Sequence, residues 1–73
     1  MALSTRNRLP GTVTEVVKGA AAAKVSLEVD GNKMVALITR ESAEELGLEE
    51  GQRVTALVKA TDVMIQTEDS GIA

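Results

Sequence analysis

Five apolar residues stand in a row at Met34-Val35-Ala36-Leu37-Ile38, shortly after an Asp30-Gly31 turn signal. Just upstream, Val25, Leu27 and Val29 alternate with Ser26, Glu28 and Asp30, the period of a strand with one buried face. The two segments predict a hairpin. The alternation disappears in its second arm, where both faces are apolar. A strand in a small one-sheet domain keeps one polar face. The run therefore predicts that both its faces are covered, one of them by a neighbouring subunit.

The rest of the chain reads as sheet around that hairpin. Nine Val, three Ile and seven Thr make 19 β-branched residues among 73, a composition that favours strands. Val13 to Val17, bounded by Pro10-Gly11 and Gly19, predicts the first strand. The small residues Ala20 to Ala23 are too few for a helix and predict a turn or a strand entry. Glu41 to Leu46 predicts a short helix, with Thr39 as its N-cap and Gly47 just past its end. Val54, Ala56 and Val58 alternate with polar neighbours and predict a fourth strand. Ala60-Thr61-Asp62 breaks it, and Val63-Met64-Ile65 predicts a fifth. Residues 67–73 are small and polar, as in a frayed tail. Three strands, a helix and two strands predict an all-β fold, a five-stranded OB-fold-like barrel with one short helix between the third and fourth strands. It would fill 1–73 as a single domain. An SH3-like barrel is the alternative, but it normally lacks that helix.

Missing residue types remove whole classes of chemistry. The chain has no Cys, His, Phe, Tyr or Trp. Thiolate nucleophiles, disulfides and Cys/His metal sites are excluded. The usual general base near neutral pH is absent, so no Ser or Thr has a partner to activate it. No enzyme is expected. The stacking platforms of single-stranded nucleic-acid binders are missing too. A core built from Ala, Val, Leu, Ile and Met in so short a chain buries little, which points to a homo-oligomer. Net charge is −3, and it is uneven. Residues 1–40 carry six basic and three acidic groups, and residues 41–73 carry two and eight. Such a surface repels a nucleic-acid backbone but can hold a small anion at a local cluster of donors. Met1 to Leu9 has no apolar core of a secretory signal, and no run approaches a membrane span, so a cytoplasmic location is expected.

Several segments concentrate hydrogen-bond donors, and each has a plainer reading. Ser4-Thr5-Arg6-Asn7 offers a hydroxyl and a guanidinium that can grip an oxyanion, or is a solvated arm. Thr39 and Ser42 sit at a helix start, as caps or as an anion cradle, and a capping hydroxyl can still donate its own proton outward. Lys59-Ala60-Thr61 is an edge lysine and a turn, or a counter-charge with two further donors. Gly19 to Ala23 packs closely or forms a backbone nest. Glu44, Glu45, Glu49 and Glu50 lack the spaced ligands of a calcium loop and read as a solvated face.

Taken in order, these segments resemble the molbindins, small free-standing members of the Mop/TOBE class of molybdate-binding domains. The likeness runs from about Ser4 to Ile65. Ser4-Thr5-Arg6-Asn7 is similar to the family's Ser-Ala-Arg-Asn entry. Pro10-Gly11-Thr12-Val13, Gly19-Ala20, Ile38-Thr39-Arg40-Glu41-Ser42, Glu45 to Gly51 and Val58 to Val63 follow in register. The resemblance implies an OB-like fold and a homohexamer built as a trimer of dimers. It implies molybdate or tungstate held at subunit interfaces, with no organic cofactor and no metal bound except as the oxyanion. It carries the oxyanion site onto Ser4, Arg6, Thr39, Ser42, Lys59, Ala60 and Thr61, some from one subunit and some from its neighbour. A second site near the three-fold axis would fall at Gly19 and Ala20; members often carry Asn where this chain has Ala22. The implied chemistry is consistent. Molybdate is fully deprotonated near neutral pH and accepts hydrogen bonds only, and the named residues offer donors and no carboxylate. Intracellular storage or homeostasis of the oxyanion is the leading expectation, without nucleic-acid or membrane partners. An OB-type nucleic-acid module and a purely structural oligomerisation domain are the alternatives.

Overall fold

One long strand, β1 (Arg6–Lys18), organises the molecule. The computed structural model describes residues 6–69 and 71–73. After β1 come β2 (Ala22–Val29), β3 (Asn32–Thr39), a helix α1 (Arg40–Glu45), β4 (Arg53–Lys59) and a 3₁₀ turn at Ala60–Asp62. The strands form one antiparallel sheet in the order β3-β2-β1-β4. β1 serves two partners. Its first half pairs with β4, from Arg6 opposite Lys59 to Thr12 opposite Arg53. Its second half pairs with β2, from Thr12 opposite Glu28 to Lys18 opposite Ala23. The register slips between Val13 and Glu15. Thr14 is the extra residue, and such a bulge bends a strand.

The first strand therefore runs well beyond the Val13 to Val17 stretch that composition marks. Pro10 and Gly11 look like a boundary, yet the strand passes through both. Before Thr12 only one edge of β1 is paired, so the missing N–H of Pro10 is accommodated at the free edge. Gly11 is buried where β2 crosses closely. A Cβ there would stand 2.6 Å from the Glu28 carbonyl oxygen and 2.8 Å from Val29 Cγ2.

The hairpin between β2 and β3 forms as its sequence predicts. Asp30 and Gly31 have φ of 51° and 80°, the pattern of a two-residue turn whose twist matches its strands. Val13, Val25, Leu27 and Val29 form the buried core, and Leu9, Val16, Met34, Ala36, Ile38, Leu48, Val54 and Ala56 pack against it. On β3 only one face is covered. Met34, Ala36 and Ile38 turn inward, while Val35 and Leu37 face outward, 53% and 74% exposed. Ser26 is buried between Val25 and Leu27, and its hydroxyl has no hydrogen-bond partner among the described residues.

α1 is capped at both ends. The backbone N–H of Ser42 donates to Thr39 Oγ1 at 3.0 Å. At the other end, Gly47 (φ 61°) donates to the Glu44 carbonyl and Leu48 to the Ala43 carbonyl. This pair of bonds ends a helix with a left-handed glycine. Ala43, fully buried, is the residue by which α1 seats on the sheet.

The fold is all-β with one helix, as expected, but the five-stranded barrel is not formed. Four strands make an open sheet, and β3 and β4 are its two edges. Val63, Met64 and Ile65 join no strand and are 47%, 73% and 65% exposed. Three β-branched or apolar residues are a strand signal only where a surface exists to pack them. Here the 3₁₀ turn leads the chain away from the sheet. Ile65 and Ala73 exchange backbone hydrogen bonds, and Gln66 bridges Ile72. Between the two sheet edges lies an apolar cleft of about 360 Å³, floored by Val13, Val25 and Leu27.

Candidate functional site

The donors singled out in the sequence fall into two groups. The first surrounds the start of α1. Thr39 ends β3 opposite Ala22. Its hydroxyl accepts from the Ser42 N–H and donates to Ser42 Oγ at 2.8 Å. The Ser42 hydroxyl is thus an acceptor inside the pair, and its own proton is available to a ligand. The loop at Gly19 and Ala20 lies alongside, held by Arg40. The Arg40 N–H donates to the Ala21 carbonyl at 3.0 Å, and its Nη1 to the Gly19 carbonyl at 3.2 Å. Its Nε pairs with Glu44 Oε2 at 3.0 Å. Arg40 was not singled out as a site residue. It positions the loop against the helix start, and the Arg-Glu spacing of four was its legible signal.

The second group lies at the far end of β1. Arg6 stands directly opposite Lys59 across the β1–β4 ladder, and both are exposed. Like charges in that position repel. Neither is neutralised, because the ion pair among the described residues joins Arg40 and Glu44. The Asn7 side-chain amide donates to the Val58 carbonyl at 3.2 Å and ties the two strands together. Ala60 and Thr61 follow Lys59 in the 3₁₀ turn, both exposed, with Asp62 the carboxylate of that turn. The alternation that places Arg6 and Lys59 on the outer face also places Arg8 and Arg53 there. Arg53 donates to Thr12 Oγ1 at 3.0 Å. Four cations thus share one face of an acidic chain. Alternation in the sequence places Arg53 on the face of Lys59, but Arg6 and Arg8 join that face only through the early start of β1 and its register with β4. Ser4 lies outside the described residues.

The two groups are not joined by any hydrogen bond or strand pairing among the described residues. Arg6 opens β1. Lys18 closes it, beside Ala23, which pairs in turn with Ile38 next to Thr39. Each group thus sits at its own end of the 13-residue strand. The fold brings Thr39 and Ser42 together, with Gly19 and Ala20 nearby. It brings Arg6, Lys59, Ala60 and Thr61 together at the opposite end. The chemistry on offer is hydrogen-bond donation and positive charge, suited to gripping an anion.

The donors gathered at each end of β1 suit a small anion better than a bare metal ion, for which the sequence has no Cys or His. A family model described as the TOBE domain matches residues 3–65, and the chain belongs to that family. It is 50% identical over 66 residues to molybdenum-pterin-binding protein 2 of Clostridium pasteurianum, covering 89% of this chain and 97% of that protein. Among solved structures, a molybdate-binding protein from Sporomusa ovata superposes with a TM-score of 0.84 at 45% identity, over 92% of this chain and all of that one. The cytoplasmic molybdate-binding protein ModG with molybdate bound gives 0.75 at 38% identity, over 85% of this chain and 45% of that one.

Proposed function

We propose that this protein binds molybdate or tungstate and serves to store or buffer the oxyanion inside the cell, without catalysis. The observation that carries the reading is the Arg6–Lys59 pair, without an ion-pair partner among the described residues, beside the Ala60-Thr61 turn, in a chain whose solved structural neighbours are molybdate-binding proteins. A dianion placed there relieves the repulsion between the two cations and accepts from every donor. Burying it without such partners would be prohibitive.

Thr39 and Ser42 supply the rest of the donor set from a second copy of the chain. This is why the separation of the two groups along β1 favours a site shared between subunits. Ser4 joins it from the segment preceding β1. Gly19 and Ala20 are assigned to a second oxyanion site; the Gly19 carbonyl already accepts from Arg40 and the Gly19 N–H donates to the Ala22 carbonyl, so the donor the loop offers is the Ala20 N–H. A homohexamer arranged as a trimer of dimers supplies the interfaces. The protein acts as one domain over 1–73, and a cytoplasmic setting agrees with the ModG relative. No helix among the described residues is long and apolar enough to cross a membrane.

Isothermal titration with molybdate, tungstate and sulfate tests this reading. Heat is expected with the first two and much less with the smaller sulfate. An absence of heat with both molybdate and tungstate would remove the proposal.

A further inference from the structure

Positive charge is concentrated on one strip of this molecule. Directly opposite residues of an antiparallel pair point to the same side. The register of β1 with β4 therefore sets Arg6, Arg8, Pro10 and Thr12 beside Lys59, Leu57, Thr55 and Arg53 on the outer face. The intervening Leu9, Val54 and Ala56 pack toward the core. Four of the eight cations of the chain stand on this strip, and none of its outward positions is acidic. Elsewhere, four cations are set against 11 carboxylates. Glu28, opposite Thr12, and Asp62, in the turn after Lys59, border the strip at its two ends. Arg6 and Lys59 form the end assigned above to the oxyanion. Arg8 and Arg53 are exposed, and neither forms an ion pair among the described residues. Arg53 is tethered across the ladder, its Nη1 donating to Thr12 Oγ1 at 3.0 Å. It opens β4 and Lys59 ends it, about 20 Å away along the strand, too far for Arg53 to touch an ion at Lys59. Arg8 is nearer, about 7 Å from Arg6 along β1.

A chain of net charge −3 repels an approaching dianion. Only a face where the sign reverses admits it. We propose that Arg8 and Arg53 form an electrostatic approach lane, which draws a small dianion along the outer face to the Arg6–Lys59 end and sets the rate of capture rather than the grip on the captured ion. The proposal rests on the oxyanion function given above and deepens it. A fixed charge acting from a distance lowers the energy of the ion at the mouth of the site about as much as in it, so arrival quickens and release does not change. Between the arginines lie Pro10, Thr55 and Leu57, which offer a single hydroxyl, too little to hold an ion in transit.

The test separates arrival from release. Titration calorimetry gives the dissociation constant for molybdate, and exchange of bound radiolabelled molybdate for unlabelled gives the release rate. The release rate divided by the dissociation constant is the capture rate constant. The double variant Arg8→Gln/Arg53→Gln is compared with Arg8→Lys/Arg53→Lys, which keeps both charges, and far-UV dichroism establishes that each is folded. At an ionic strength of about 0.01 M, where charges act over about 30 Å, the Gln pair is expected to capture molybdate about threefold more slowly or worse, with release unchanged. At about 1 M, where the reach is about 3 Å, the difference should vanish. The Lys pair should match the unmodified protein at both. An unchanged capture rate at low ionic strength would overturn the lane. Faster release would also overturn it, by making these arginines part of the grip. A deficit that persists at high salt or in the Lys pair would do the same, by making their role structural. The two readings fail separately. Molybdate binding that is indifferent to the Gln pair removes the lane alone, while an unmodified protein that binds no molybdate removes the oxyanion function and the lane with it.

Discussion

Thr39 and Ser42 are bonded twice, once through the Ser42 backbone N–H and once through the Thr39 hydroxyl proton. The first bond caps α1, and the second orients the Ser42 hydroxyl so that its proton points elsewhere. Capping and ligand binding are therefore separable. Ser42→Ala keeps the backbone donor and should change stability by less than about 0.5 kcal/mol. It should weaken molybdate binding about tenfold or more, the effect of losing a hydrogen bond to a charged group. Thr39→Val removes the cap and should cost about 1 kcal/mol of stability as well. Melting followed by dichroism, with titration calorimetry on the same samples, distinguishes the two outcomes.

Lys59 stands opposite Arg6 across the β1–β4 ladder, and neither forms an ion pair among the described residues. Lys59→Gln should leave the ligand-free protein equally stable or slightly more so, by a few tenths of a kcal/mol, because a cross-strand repulsion is lost. The same variant should bind molybdate at least tenfold more weakly. Loss of stability without loss of affinity would assign Lys59 a purely structural role.

Molybdate should stabilise the assembled protein by mass action. At a free concentration 100 times the dissociation constant the expected gain is about 2.7 kcal/mol. Thermal melts with molybdate and with sulfate at equal concentration read this directly, and only the first should shift appreciably.

Gly11 has no room for a side chain, since its obstacle is the Glu28 backbone carbonyl and the Val29 side chain. Gly11→Ala should destabilise by roughly 1–3 kcal/mol, as overpacking does. Urea unfolding followed by the far-UV dichroism of the sheet measures the shift in midpoint.

Ser26 buries a hydroxyl that has no partner among the described residues. Ser26→Ala removes the desolvation penalty and no hydrogen bond. It should raise stability by up to about 1 kcal/mol, with no change in molybdate affinity. A loss of stability would mean that the hydroxyl is bonded after all.

The β2–β3 hairpin, the capped helix and β4 were legible because each carries a local signal. Asp30-Gly31 specifies its turn, Thr39 and Gly47 specify the ends of α1, and alternation specifies β4. The start of β1 was hidden because Pro10 and Gly11 resemble breakers. Their tolerance depends on which edge is paired and how closely Glu28 approaches, facts about the sheet rather than the segment. Val63 to Ile65 misled for the opposite reason: the composition is that of a strand, but no edge within the chain receives it. The types of the donor residues could be read directly. Their division between the two ends of β1 could not, since it depends on a register fixed only by pairing.

That division has a bearing on how the protein would work in a cell. If β1 keeps each chain's two sets of donors apart, a solitary protomer is half a receptor. Capture would then vary more steeply than linearly with the amount of protein, and dilution alone would discharge the cargo. The abundance of the polypeptide, and not just that of the oxyanion, would set the threshold at which the reservoir fills.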